Sequence, residues 1–232
     1  MPSPASLPSG RRVYAIGDVH GCLDQLQALH AMIAHDLAEN PVASPLLIHL
    51  GDYIDRGPDS AGVVRYLREG FAGAPAVNLM GNHERMMLES LNSTDPEAFA
   101  HWLSNGGDTT LQSWGVPEPY RPQGLHRLIP DDDQRFVYAL RPHHREGGYL
   151  FVHAGIRPGL PLERQSPHDL MWIREPFLSW VGDLGAVVVH GHTPMDAPVV
   201  RPNRIGIDTG AVRGGALTCV VLEADRLGFL FA

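Results

Sequence analysis

An α/β layered fold is predicted by three features: short apolar runs that end at glycine, amphipathic stretches that follow them, and the repetition of that pair through the first half of the chain. Arg11 to Gly17, with Val13, Tyr14, Ala15 and Ile16, reads as a strand that stops at a glycine and an aspartate. Leu23, Leu26, Leu29, Ile33 and Leu37 recur at spacings of three and four, which puts them on one stripe of a helix. Pro45 to Leu50 is a second, buried strand. Asp59 to Glu69 is a second helix, with Val63, Val64 and Leu67 on one side and Gly70 as its C-terminal stop. Ala74 to Met80 gives a third strand ending at Gly81, and His83 to Leu91 continues as helix.

The second half is less regular. Between Ser93 and Gly148 a helix is predicted near Pro96 to Ser104, stopped by Gly106-Gly107, then a turn-rich stretch from Trp114 to Gln123 and a helix from Asp131 to Leu140. Residues 93–148 are therefore expected to form a helical and loop insertion near one end of the sheet. Strands resume at Tyr149 to Val152 and Ala186 to His190. Ile205 to Asp208, Ala216 to Leu222 and Leu227 to Phe231 are separated by glycine-bearing or charged turns and are expected to form an antiparallel meander. The Pro- and Ser-rich residues 1–10 read as a flexible arm, and residues 11–232 as a single domain without an internal repeat.

Composition removes whole chemistries. All 18 basic residues are arginine, so a P-loop lysine, a Schiff-base lysine and a kinase-type ATP-pairing lysine are excluded. A net charge of -8 without a basic run argues against nucleic-acid backbone binding. Two cysteines, Cys22 and Cys219, are too few for a disulfide scaffold or a four-cysteine zinc site, and a cytoplasmic setting is expected. No stretch of about 18 apolar residues offers a membrane span, and the first residues lack a signal-peptide pattern.

Five segments share one design, an apolar run that ends in glycine or histidine and then presents metal-type ligands. They are Gly17-Asp18-Val19-His20-Gly21, Gly51-Asp52-Tyr53-Ile54-Asp55-Arg56-Gly57, Gly81-Asn82-His83-Glu84, Val152-His153-Ala154 and Gly191-His192-Thr193-Pro194. Ligand sites of layered α/β sheets gather at the carboxyl ends of strands, so segments far apart in sequence are expected to converge there. The candidate ligands are Asp18, His20, Asp52, Asn82, His153 and His192, too many for one four-coordinate ion. Six oxygen and nitrogen donors suit two borderline divalent metals that share a carboxylate, and the lack of thiolate selects against soft-metal chemistry.

In this order, GDxHG, GDxxDRG, GNHE, HA and GHTP, the chain resembles the PPP-type serine/threonine phosphatases of the metallophosphoesterase (calcineurin-like) superfamily, particularly their compact bacterial and phage members. The resemblance runs from Gly17 to about Val212. It implies an αββα sandwich of two mixed sheets flanked by helices, with a dinuclear metal site at the strand ends. Asp18 and His20 would hold the first metal, Asp52 would bridge, and Asn82, His153 and His192 would hold the second; manganese is expected, with iron or zinc also accepted. Asp55, Arg56 and His83 correspond to the family's catalytic trio, and Arg174, at the end of Asp169 to Glu175, to a second phosphate-binding arginine. Arginine forks match phosphate oxygens and offset transition-state charge. A hydroxide formed between the ions would attack phosphorus in line, with His83 as general acid and Asp55 on its other ring nitrogen.

Other residues read as structural. His49 and His190 are expected to be core histidines, the His143-His144 pair a solvated loop, Cys22 a packing residue, and Trp102, Trp114, Trp172 and Trp180 packing residues that the chemistry does not need. The expected substrate is a phosphoprotein or a phosphorylated small molecule, first of all phosphoserine or phosphothreonine, with phosphotyrosine also admitted. The alternative is a nucleotide hydrolase like the symmetrical diadenosine tetraphosphatases, which resemble the chain in GDVHGC and in Arg56 to Ser60 but usually carry alanine at the position of Asp55 and aspartate at that of Glu84.

Overall fold

Period-two alternation in the first strand already dictates the layering. In β1 (Arg11–Ile16), Val13 and Ala15 pack into one apolar cluster and Tyr14 and Ile16 into another, on the opposite face. The computed structural model of the chain describes residues 1–93 and 95–232. It sets β2 (Ser44–His49) and β3 (Ala76–Asn78) parallel to β1, as the alternation of strand and helix predicts. The intervening helices are α1 (Leu23–Glu39) and α2 (Ser60–Glu69), and α3 (Asn82–Asn92) follows β3. Asp59 caps α2 through its carboxylate on the Gly62 N–H at 2.7 Å, and Gly70 ends it.

Residues 93–148 fold as α4 (Pro96–Trp102), a wide turn through Leu103–Gly107, α5 (Asp108–Ser113) and α6 (Asp131–Tyr138), and end in β4 (His143–Glu146); Thr94 lies outside the described residues. His143 and His144 are thus strand residues, paired antiparallel to β5 (Tyr149–Val152), rather than a solvated loop. A polar edge strand carries no apolar alternation, so the sequence pattern does not announce it. Further on come α7 (Pro167–Trp172), β6 (Val187–His190), β7 (Val199–Val200), β8 (Arg204–Gly206), β9 (Thr218–Glu223) and β10 (Arg226–Phe231).

One sheet has the order β10-β9-β1-β2-β3 and the other β4-β5-β6-β8-β7. Val13, Ala15, Leu46 and Ile48 of the first meet Tyr149, Phe151, Val187, Val189 and Ile205 of the second. The outer face of the first sheet is covered by helices, and Leu150 and Val152 of the second pack with Leu170 and Ile173 beside α7. This is the α/β architecture of two mixed sheets flanked by helices. The expected meander is corrected: of its three strands, β8 pairs parallel with β6 in the second sheet, and β9 and β10 pair with each other as a hairpin in the first. The glycine-bearing segment between β8 and β9 crosses from one sheet to the other, through left-handed Gly210 and Gly214.

The ten N-terminal residues, expected to be a flexible arm, lie along the end of the β9–β10 hairpin. The Ser3 N–H donates to Asp225 O at 2.8 Å, Leu7 N–H donates to Ala224 O at 2.9 Å, and Leu7 is buried in the cluster between the sheets. Among the described residues, no helix is long and apolar enough to cross a membrane.

Behind the first sheet His49 donates its Nδ1–H to Asn78 Oδ1 at 2.7 Å, which leaves its Nε2 to accept the Nε2–H of His30 at 3.0 Å. Burial holds His30 down to about 4 and, with His30 alongside, His49 down to about 3. The folded state therefore keeps both neutral where the unfolded chain would bind protons. Their contribution is fully present above the unfolded value near 6.5 and is lost as pH falls from there toward about 4 for His30 and about 3 for His49, by up to about 1.4 kcal/mol per pH unit for each. His30→Phe is expected to make the fall in Tm across that window shallower; an unchanged acid limb would assign it to other groups.

Candidate active site

The five ligand-bearing segments converge at the carboxyl ends of β1, β2, β5 and β6 and at the start of α3. Among the described residues, six non-glycine positions have positive φ, and five are predicted site residues: His20 (45°), Asp52 (51°), Asp55 (72°), Arg56 (69°) and His192 (65°). Such a conformation costs energy in L-residues and persists only where its surroundings hold it. Gly57 shows how closely two of these loops pack. A Cβ there would fall 1.8 Å from the His20 carbonyl oxygen, so no other residue fits.

Asp52 is at the centre. Its Oδ1 is 3.3 Å from His153 Nε2 and its Oδ2 is 3.5 Å from His20 Nε2, so the two oxygens of one carboxylate face different imidazoles. Two groups have the spacing of metal sites, His20–Asp52–His83 and Asp52–His153–His192, and Asp52 is common to both. The Nδ1–H of His20 donates to Ile54 O at 2.8 Å and that of His153 to Leu50 O at 3.0 Å, which turns each Nε2 lone pair inward. His192 Nε2 is buried and unpartnered. Asn82 Oδ1 lies 2.9 Å from His153 Nε2. This donor set fits two divalent ions.

Asp18 is buried but belongs to neither group. Its carboxylate accepts the His192 N–H at 3.2 and 3.1 Å, and burial together with the adjacent Asp208 raises its pKa. His83 stands closer to the first group than expected, with Nε2 3.9 Å from Asp52 Oδ2 and without a hydrogen-bond partner. Its Nδ1 is 2.6 Å from Asp55 Oδ2. Burial works against the charged imidazole, but the charges of Asp52 and Asp55 outweigh it and raise the His83 pKa. Burial likewise opposes charge on His153, while Asp52 and Asp18 bring it to about 10. Metal binding must displace that proton.

Arg56 Nη1 lies 2.9 Å from His20 Nε2, which brings the guanidinium to the edge of the first group. Arg174 follows α7, exposed to solvent. Burial and His153 lower the His192 pKa to about 3, and the Arg174 charge adds to the effect. Arg157 anchors that segment with a two-pronged pair to Asp169 at 3.0 and 2.7 Å. His190 stays out of both groups, buried edge-on to Phe177.

Four contributors were missed. Glu84 accepts the backbone N–H groups of Asp52, Tyr53 and Gly81 at 2.9, 2.7 and 3.0 Å and so clamps the Asp52 turn to the start of α3. Trp102 and Thr110 donate to Asp55, which corrects the expectation that Trp102 only packs. Asp208 lies beside Asp18. Its signal was present: Ile205 to Asp208 is an apolar run ending in a carboxylate, the same design as the other five segments.

The sequence matches the family described as calcineurin-like phosphoesterase over residues 11–223. It is 33% identical over 220 residues to serine/threonine-protein phosphatase 1 of Salmonella typhimurium, covering 92% of this chain and 93% of that protein. It is 28% identical over 225 residues to the asymmetrical bis(5'-nucleosyl)-tetraphosphatase PrpE of Halalkalibacterium halodurans, covering 88% and 87%. The crystal structure of a candidate diadenosine tetraphosphatase superposes with a TM-score of 0.68 at 24% identity, covering 98% of each chain.

Proposed function

The chain belongs to the calcineurin-like phosphoesterases and is a phosphatase of that family; from that premise we propose that it hydrolyses phosphomonoesters, first of all phosphoserine and phosphothreonine in proteins. The observation that carries this reading is the buried Asp55–His83 pair, 2.6 Å apart, with the opposite ring nitrogen of His83 unpartnered. A serine or threonine alkoxide is a poor leaving group and departs with a proton, which a charged imidazole held by Asp55 delivers from Nε2. A phosphate group leaving from a phosphoanhydride needs that proton far less, so the pair suits an ester of an alcohol better than a dinucleotide.

Asp18, His20, Asp52, Asn82, His153 and His192 would hold two divalent ions, with manganese the preferred occupant and iron or zinc accepted. When bound, such ions supply a water-derived nucleophile at neutral pH. Arg56, beside His20, and Arg174, whose charge is felt at His192, would bind the phosphoryl oxygens and offset the charge that grows on them. The free thiols of Cys22 and Cys219 suit a reducing compartment such as the cytoplasm.

The full-length similarity to a nucleosyl-tetraphosphatase supports a second reading, dinucleotide hydrolysis. On one manganese-loaded preparation, kcat/KM for a phosphothreonine peptide is expected to exceed that for diadenosine tetraphosphate by at least about tenfold, about 1.4 kcal/mol of transition-state preference. The reverse order would establish the second reading.

A further inference from the structure

Asp55 is held by more than His83. Its Oδ2 takes the His83 bond, while Trp102 Nε1–H forks between Oδ1 at 3.1 Å and Oδ2 at 3.0 Å and the Thr110 hydroxyl donates to Oδ1 at 2.6 Å. The Asp55 N–H in turn donates to Thr110 Oγ1 at 2.8 Å and Ser60 Oγ at 3.0 Å. Asp55, Trp102 and Thr110 are all fully buried, so these donors have no water to fall back on. Trp102 and Thr110 belong to α4 and α5, outside every ligand-bearing segment. The turn between these helices is built against the same loop. Left-handed Gly106 accepts the Arg56 N–H at 3.2 Å, and a Cβ there would lie 2.7 Å from the Arg56 nitrogen. At Gly107 a Cβ would fall 2.7 Å from the Trp102 indole.

We propose that Trp102 and Thr110 are positioning residues that fix the Asp55 carboxylate, and through it His83, in the orientation that protonates the leaving group. The inference rests on the reading of His83 as general acid. With three donors arranged around two oxygens, the carboxylate cannot rotate without losing a bond, so the His83 ring is held with Nε2 toward Asp52 and the cleft. The effect is confined to the step in which a proton reaches the departing oxygen. Under the same reading the metal ligands are other side chains, so bound metal is expected to stay in place.

The test uses Trp102→Phe, which keeps the ring and removes the N–H, and Thr110→Val, which keeps the shape and removes the hydroxyl. Thr110→Ser restores the hydroxyl. Each is loaded with manganese, its metal content and Tm are measured, and kcat and KM are determined on a phosphothreonine peptide and on p-nitrophenyl phosphate, whose leaving group needs little protonation. Both variants are expected to lose about tenfold or more in kcat on the peptide and about threefold or less on the aryl ester, with KM and metal content unchanged. Thr110→Ser is expected to recover to within about twofold of the parent. Equal losses on the two substrates, or none, while His83→Ala does discriminate between them, would overturn the positioning role. Equal losses in His83→Ala itself would remove the general-acid reading and this inference with it.

Discussion

Replacing His83 with alanine is expected to leave bound metal in place while lowering kcat on a phosphothreonine peptide by about 10²–10⁴-fold, the range for loss of a general acid. The loss on p-nitrophenyl phosphate is expected to be smaller, because nitrophenolate leaves without a proton. Geometry makes the control informative. His83 Nε2 lies near His20 and Asp52 in one of the two metal-type groups, so the side chain has the spacing of a ligand as well as of an acid. Elemental analysis separates the roles. Two ions retained, with activity lost mainly on the alkyl ester, assigns His83 to proton transfer; loss of an ion would make it a ligand, and equal losses on both esters would end the leaving-group argument.

The second large effect is expected at Asp52. An amide in Asp52→Asn keeps the shape and one oxygen but removes the charge that both groups share. The charge also holds the His153 proton, and the Asp52 carboxylate itself is kept well below the usual range: burial opposes this, but His153 and His83 outweigh it. The variant is expected to bind less than one ion per chain at metal concentrations that load the parent, and to lose nearly all activity on every phosphate ester. Glu84 still clamps the Asp52 and Tyr53 amides, so the turn keeps its course and the loss reads as ligation rather than unfolding. Full two-metal occupancy in Asp52→Asn would reject the shared-carboxylate arrangement.

The ligand segments were legible because each joins a hydrophobic strand to a short polar turn, a local pattern with little freedom. The α1 stripe and the Gly70 stop were legible for the same reason, since helical period and a terminal glycine are written into neighbouring residues. What escaped depends on pairs distant in sequence. Trp102 is 47 positions from Asp55, and nothing near the indole announces that its N–H will meet a carboxylate. Gly106-Gly107 was visible, but as a helix stop; its packing on Arg56 and Trp102 exists only once α4 and the Asp52 loop are together. β4 was missed because His143 and His144 owe their strand to β5, and the β8 placement because a turn that crosses between sheets has the composition of one that closes a hairpin. Asp208, by contrast, carries a legible local pattern, a carboxylate two residues past the end of β8.

One carboxylate, Asp52, would join two metal positions into a single phosphoester-hydrolysing site. Activity followed against metal equivalents decides whether both positions are needed. Metal-free protein titrated with manganese, its bound metal counted at each point, is expected to be inactive at the start and to gain activity until about two ions are bound per chain. Full activity at one ion per chain, or turnover by the metal-free protein, would rule out a shared two-metal site.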